Sequence, residues 1–178
     1  GVIEEGEDIP TITLDLPGRD AHFDRIGEFA KLQFSRVGLS IDVERNDWPK
    51  LQEKVHNKVV QTYMMGWHAD YPDAENFLQL FYSPNIKRGT NNTNYANPEF
   101  DKLYKRAATM MDIEDRVPLY AKMTRMLNED VPCLLLSEPV SYMLVYDWVS
   151  NVKPHPIGYG YRRYIRIDAA RRERMGGR

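Results

Sequence analysis

Strand-like and helix-like segments alternate through the first 67 residues, and few architectures accept that order. "TITLDL" (11–16) alternates as a short strand does. Asp20 then stands as the N-cap of a helix through Val37, with Phe23, Ile26, Ala30, Phe34 and Val37 as its apolar stripe and Gly38 as its stop. "LSIDVERN" reads as a second strand. Asp47 caps a shorter helix that has Pro49 in its first turn, where a missing N–H costs little, and Leu51 and Val55 facing inward. "VVQTYMMGW" is rich in β-formers and apolar on both faces, as expected of a strand covered by helices on both sides. Strand, helix, strand, helix, strand implies βαβ units with right-handed crossovers.

Beyond residue 67 the pattern changes. "DAENFLQLFYS" suggests a short helix, and "PNIKRGTNNTNYAN" a polar surface loop. Asn97 and Pro98 open a helix with Phe100, Leu103, Tyr104, Ala107 and Met111 on one face. Asp112 can cap another, to about Asn128, striped by Val117, Tyr120, Thr124 and Leu127, in which Pro118 should cause a kink or delay the start. "CLLLS", "VSYMLVYDWV" and "YRRYIRID" look like three closing strands joined by "KPHPIGYG". The expected class is therefore α/β, a mixed open sheet with helices on both faces. Residues 1–10 are expected to be a flexible N-terminal segment, 11–168 the folded body, and 169–178 a basic, solvated tail.

At 178 residues the chain is long enough to bury roughly 70% of its unfolded surface without staples. A formal net charge of −2 gives no global reason to expect nucleic acid or an anionic membrane as partner. Cys133 is the single cysteine, so no internal disulfide framework is open to the chain; in "PCLLL" it reads as a buried thiol. No stretch approaches the roughly 20 apolar residues of a membrane span, and "GVIEEGEDIP" is not a secretory signal, so any export signal is expected outside this sequence.

The stretch with most chemistry is "GWHADYPDAENF" (66–77), at the end of the third strand. Ligands of open α/β sheets gather at the carboxyl ends of strands, which would set Trp67, His68, Asp70 and Tyr71 at the mouth of a cleft. A carboxylate there suits a cation, and Trp67 offers a flat wall or a cation–π face. The alternative is that Asp70 only caps the turn before Pro72 and that Trp67 packs in the core. Asp73 is placed to N-cap the helix that follows.

In this order "GWHADYPDAENFLQLFYS", "NNTNYANPEFDKL", "RVPLYAKMTRMLNEDVPCLLL" and "NVKPHPIGYGYRRYIRID" resemble the C-terminal part of the extracytoplasmic solute-binding proteins of ABC importers for oligopeptides, dipeptides and nickel. The resemblance implies a periplasmic-binding-protein-like lobe over residues 11–168. This would be the second lobe of a two-lobed protein, with returning C-terminal strands. It implies capture of a peptide or similar small solute, with no catalysis and no cofactor, and delivery to a membrane permease from a periplasmic or extracytoplasmic, membrane-associated location. The missing first lobe of the same protein would be a partner. In peptide-binding members the aspartate of Trp-x-Ala-Asp anchors the peptide's free α-amino group, a role that falls here on Asp70, with Trp67 as a wall and Tyr71, His68, Asn94 and Tyr95 as cleft neighbours. The alternatives within this reading are a nickel-chelate-binding member and a non-transport module that retains only the lobe.

Other classes have less support. His68 and Asp70 would point to one side of an extended segment, but no second histidine stands at ligand spacing; His22, His56 and His155 are scattered, and no metal site is expected. Asp70 with Asp73 or Glu75 gives no sign of the set separation a glycosidase requires, and no nucleophile elbow, His-Glu-x-x-His helix or phosphate-binding glycine loop occurs. "NNT" at 91–93 matches a glycosylation acceptor, here read as chance in an Asn-rich loop.

Overall fold

The computed structural model describes residues 9–87, 89–111, 113–140, 142–155 and 160–176. Most of the N-terminal segment, the Asp112 cap, part of "KPHPIGYG" and the last two residues of the tail lie outside the described residues. The chain divides into two compact units, one holding residues up to His68 with Leu80–Asn97, the other Ala69–Gln79 with Pro98 onward.

The first unit is built on the strand–helix alternation. β1 (Ile12–Leu16) leads into α1 (Ala21–Ser35), β2 (Ile41–Arg45), α2 (Trp48–His56) and β3 (Thr62–Tyr63). The strands pair in parallel in the order β2-β1-β3, with Ile12 opposite Ile41 and Leu16 opposite Arg45. Both expected N-caps form: the Asp20 carboxylate accepts from His22 and Phe23 N–H, and Asp47 from Lys50 N–H. α1 stops at Gly38, whose φ of +80° a side chain rarely adopts. Gly27 is the buried residue of α1. A Cβ there would meet Val43 Cγ1 at 3.0 Å, so the missing side chain lets the helix lie close on β2. Leu16, Ile41, Leu51 and Val55 form the core, while Val37, expected on the inner stripe, is exposed.

β3 is shorter than "VVQTYMMGW" suggested, and Val59 is exposed. As an edge strand it has a ladder partner on one side only, so its apolar composition is not matched by burial on both faces.

A polar cluster ties α2 to the sheet. Asp15, buried at the end of β1, accepts from Asn46 Nδ2 at 2.8 Å and pairs with Lys54 of α2, whose ammonium also reaches Glu44 at 2.9 Å. Burial works against the Lys54 charge, but the two carboxylates outweigh it and its pKa is raised.

In the second unit α3 (Glu75–Leu78) is followed by α4 (Pro98–Ala108) and α5 (Ile113–Asp130). α4 buries Phe100, Leu103, Tyr104 and Ala107 as its 3.6-residue period requires; Met111 lies beyond its end and is exposed. α5 runs through Pro118 without a delayed start. Its inner face differs from the expected stripe: Met123 is buried and Arg116, Leu119, Tyr120, Met126 and Leu127 are half-buried, whereas Val117 and Thr124 are exposed. Lys122 and Glu99 join α5 to α4 at 2.9 Å.

Among the described residues the three closing strands are largely absent. "CLLLS" forms none, and the other two contribute only the antiparallel pair β4 (Val149–Ser150) and β5 (Arg166–Ile167). A β-forming sequence becomes a strand only where a ladder partner is present, and Leu134–Leu136 and Leu144 are exposed instead. The basic segment after Asp168 carries a short helix, α6 (Ala169–Arg174), capped by Asp168, with Arg171 paired to Asp147 at 2.9 Å. The α/β class is as expected, with parallel and antiparallel pairings in two separate small sheets.

Candidate functional site

The boundary between the units falls inside the Trp-x-Ala-Asp motif, between His68 and Ala69, so Trp67 and Asp70 belong to different units.

In the second unit the turn after Asp70 is fixed by side chains. Asn76, fully buried, accepts from Asp70 N–H through Oδ1 at 3.2 Å. Asp73 Oδ1 accepts from Glu75 N–H at 3.0 Å and from Tyr120 O–H at 2.8 Å, while its Oδ2 pairs with Arg116 at 2.8 Å. Glu75 accepts from the hydroxyls of both Tyr71 and Tyr104. Burial would raise the Asp73 pKa, but the Glu75 N–H, Tyr120 and Arg116 outweigh it and hold the carboxyl below its usual range. The same environment pushes the Tyr120 hydroxyl up to about 12, first through burial and then through its bond to Asp73. Glu75 raises the Tyr71 hydroxyl.

Asp73 is not the N-cap expected from the sequence: that position is Ala74, which makes no side-chain cap bond, and Asp73 instead accepts from the N–H two residues on, in the turn that leads into α3 at Glu75. Asp70 does not cap the turn. Its backbone is held by Asn76, its side chain is exposed, and no hydrogen bond or ion pair among the described residues engages its carboxylate.

In the first unit Trp67 is 39% exposed, so it is not a core residue. It forms one wall of an open cleft of about 540 Å³, within the range of small-molecule sites. The cleft's other walls come from one face of α2 (Trp48, Gln52, Val55 and His56, with Glu53 beside them), from Met65 and Gly66, and from loop residues Gly89, Thr90 and Asn92. The ion pairs of Lys54 hold α2, and so this wall, against the sheet. The loop is organised by Asn91, which is buried, donates to Tyr82 and Tyr95 carbonyls at 3.1 and 3.0 Å, and receives Lys58 Nζ on its own carbonyl at 3.1 Å. A buried Asn91 side chain also fits the reading of "NNT" as a chance match.

The cleft includes Trp67 but neither Asn94 nor Tyr95 among its lining residues. Asn94 is exposed at φ +60°, and Tyr95 packs edge-to-face on Phe81 at 6.2 Å. His68 and Tyr71 are exposed. Sequence reading missed Trp48, Gln52 and His56, although their i, i+4, i+8 spacing on a capped helix was a usable signal. Among the described residues no group of three or more His, Cys, Asp or Glu side chains could hold a metal ion, and no helix is long and apolar enough to cross a membrane. Cys133 is only half-buried, with its thiol pKa raised by burial.

The α/β architecture is that of the periplasmic-binding-protein fold, and solved structures agree. AppA from Bacillus subtilis, solved with a nonapeptide, superposes with a TM-score of 0.77 at 24% identity, covering 89% of this chain and 32% of that one. HbpA2 from Haemophilus parasuis gives a TM-score of 0.74 at 18% identity over 89% and 32%. The family model described as "Bacterial extracellular solute-binding proteins, family 5 Middle" matches residues 2–89. The oligopeptide-binding protein OppA of Bacillus subtilis (strain 168) is 29% identical over 130 residues, which are 73% of this chain and 24% of that protein. The dipeptide-binding protein of Escherichia coli (strain K12) is 23% identical over 145 residues, 81% and 27% of the two chains. The chain is therefore similar to family 5 bacterial extracellular solute-binding proteins over the part that matches. It spans about a quarter of the length of these curated relatives.

Proposed function

We propose that this chain is part of a peptide receptor, the second lobe of a two-lobed solute-binding protein that captures short peptides outside the cytoplasm and delivers them to the permease of an ABC importer. The rest of the cleft comes from a first lobe, and closure of the two lobes on the ligand signals occupancy to the permease. The receptor performs no chemistry on its ligand.

The observation that carries this reading is the state of Asp70. Its backbone is held by a buried asparagine, and its exposed carboxylate is without a protein partner among the described residues. Three residues on, Asp73 carries the turn-bonding and ion-pairing work that a purely structural Asp70 would have done. An exposed carboxylate on a held backbone suits the ammonium group shared by all free peptides, and a receptor for many sequences must bind what they share. Relatives named for oligopeptide and dipeptide binding support the ligand class. Trp67 is the apolar wall, and His68, Tyr71, Asn94 and Tyr95 are secondary neighbours of the ligand.

Asp70→Asn in the intact protein tests the assignment. A charge-assisted contact contributes about 1.5–3 kcal/mol, so peptides with a free amine should bind about ten- to a hundredfold more weakly. Equal weakening for N-acetylated peptides would remove Asp70 from amine recognition.

A further inference from the structure

The cleft of the first unit carries a charge that the fold does not use. Of the acidic side chains on and beside α2, Asp47 caps the helix, and Asp15 and Glu44 share Lys54. Glu53 has none of these roles: it is exposed on the cleft wall, and no ion pair or side-chain hydrogen bond engages its carboxylate among the described residues. The lining around it is aromatic and apolar, with Trp48 and Trp67 contributing two indole rings and Met65 an apolar floor. Both tryptophans are partly exposed, and neither ring is buried in the core.

Indole faces attract cations through the ring quadrupole, and a carboxylate beside them adds a charge-assisted partner. An apolar stem ending in an ammonium or guanidinium group uses every part of such a lining: the stem lies along Met65 and the rings, and the charge meets the rings and Glu53. His56 lies on the same wall, and Gln52 adds a neutral polar group.

We propose that this cleft is a side-chain pocket selective for lysine or arginine, with Glu53 as its specificity-determining residue. The proposal rests on the peptide-receptor reading and deepens it, because it concerns which peptides are preferred rather than whether peptides bind.

The test is titration calorimetry of the intact protein with alanine tripeptides carrying lysine, or its uncharged analogue norleucine, at each position in turn. At one position the lysine peptide should bind about tenfold more tightly than the norleucine peptide, and Glu53→Gln should bring that ratio close to one. Glu53→Lys should reverse it in favour of a glutamate-bearing tripeptide. Binding with no lysine preference at any position overturns the pocket assignment and leaves the receptor reading standing. A preference that survives Glu53→Gln overturns the role of Glu53. Failure of all the peptides to bind the unmodified protein overturns the receptor reading, and this proposal with it.

Discussion

Asp70 and Asp73 stand three residues apart in one turn, and the structure assigns them opposite sensitivities. Asp73→Asn keeps the side-chain shape and leaves one oxygen to accept from Tyr120 or the Glu75 N–H. It removes the charge that balances Arg116, a guanidinium whose side chain is only 14% exposed against 22% for Asp73. A half-buried pair with two further hydrogen bonds lies between the surface and fully buried limits, so the loss should be about 2–3 kcal/mol. For a chain of this size that lowers Tm by roughly 4–12 °C. Asp70→Asn, with no partner to lose, should stay within about 0.5 kcal/mol. Thermal melts followed by circular dichroism at neutral pH would measure both. The gap between them should narrow in acid. Because the folded-state pKa of Asp73 is depressed, its contribution is complete above its unfolded pKa, about 4, and is lost as pH falls through the folded value. Equal Tm changes for the two variants, or a gap unaltered by acid, would refute this division of labour.

Two further predictions concern the same unit. Tyr120 is held up to about 12, above the ordinary tyrosine value of about 10, so its neutral form stabilises the fold fully below about pH 10 and the contribution is lost as pH rises through about 12; ultraviolet titration should show a late-ionising tyrosine that Tyr120→Phe deletes. Phe100, fully buried on α4, should cost about 3–5 kcal/mol when changed to alanine, read from the urea midpoint, and a loss under about 1 kcal/mol would contradict its place in the core.

The parts of the fold legible in the sequence were those set by local chemistry. The caps Asp20 and Asp47, the stop at Gly38 and the buried stripe of α4 follow from hydrogen-bonding groups and periodicity within one segment. The parts that were not legible depend on distant partners. "CLLLS" has the composition of a strand but no ladder partner among the described residues, and the α5 stripe is set by what α4 and Asp73 present to it, which brings Met123 and Arg116 inward rather than Val117. At the candidate site, composition and position singled out Trp67 and Asp70. The spacing could not separate a turn-capping Asp70 from a free one; that required the hydrogen bonds, which put the turn on Asn76 and Asp73. Glu53 was missed because an exposed glutamate on a helix is ordinary until its neighbours are known.

In the proposed function, the chain serves a receptor that recognises the free amine of a peptide. Calorimetric titration of the intact protein with trialanine, N-acetyl-trialanine and a nickel chelate tests it most directly. Trialanine should give heat, binding should be about ten- to a hundredfold weaker once the amine is acetylated, and the chelate should give no response. Equal affinity for the free and acetylated peptides, or a response to the chelate alone, would contradict it.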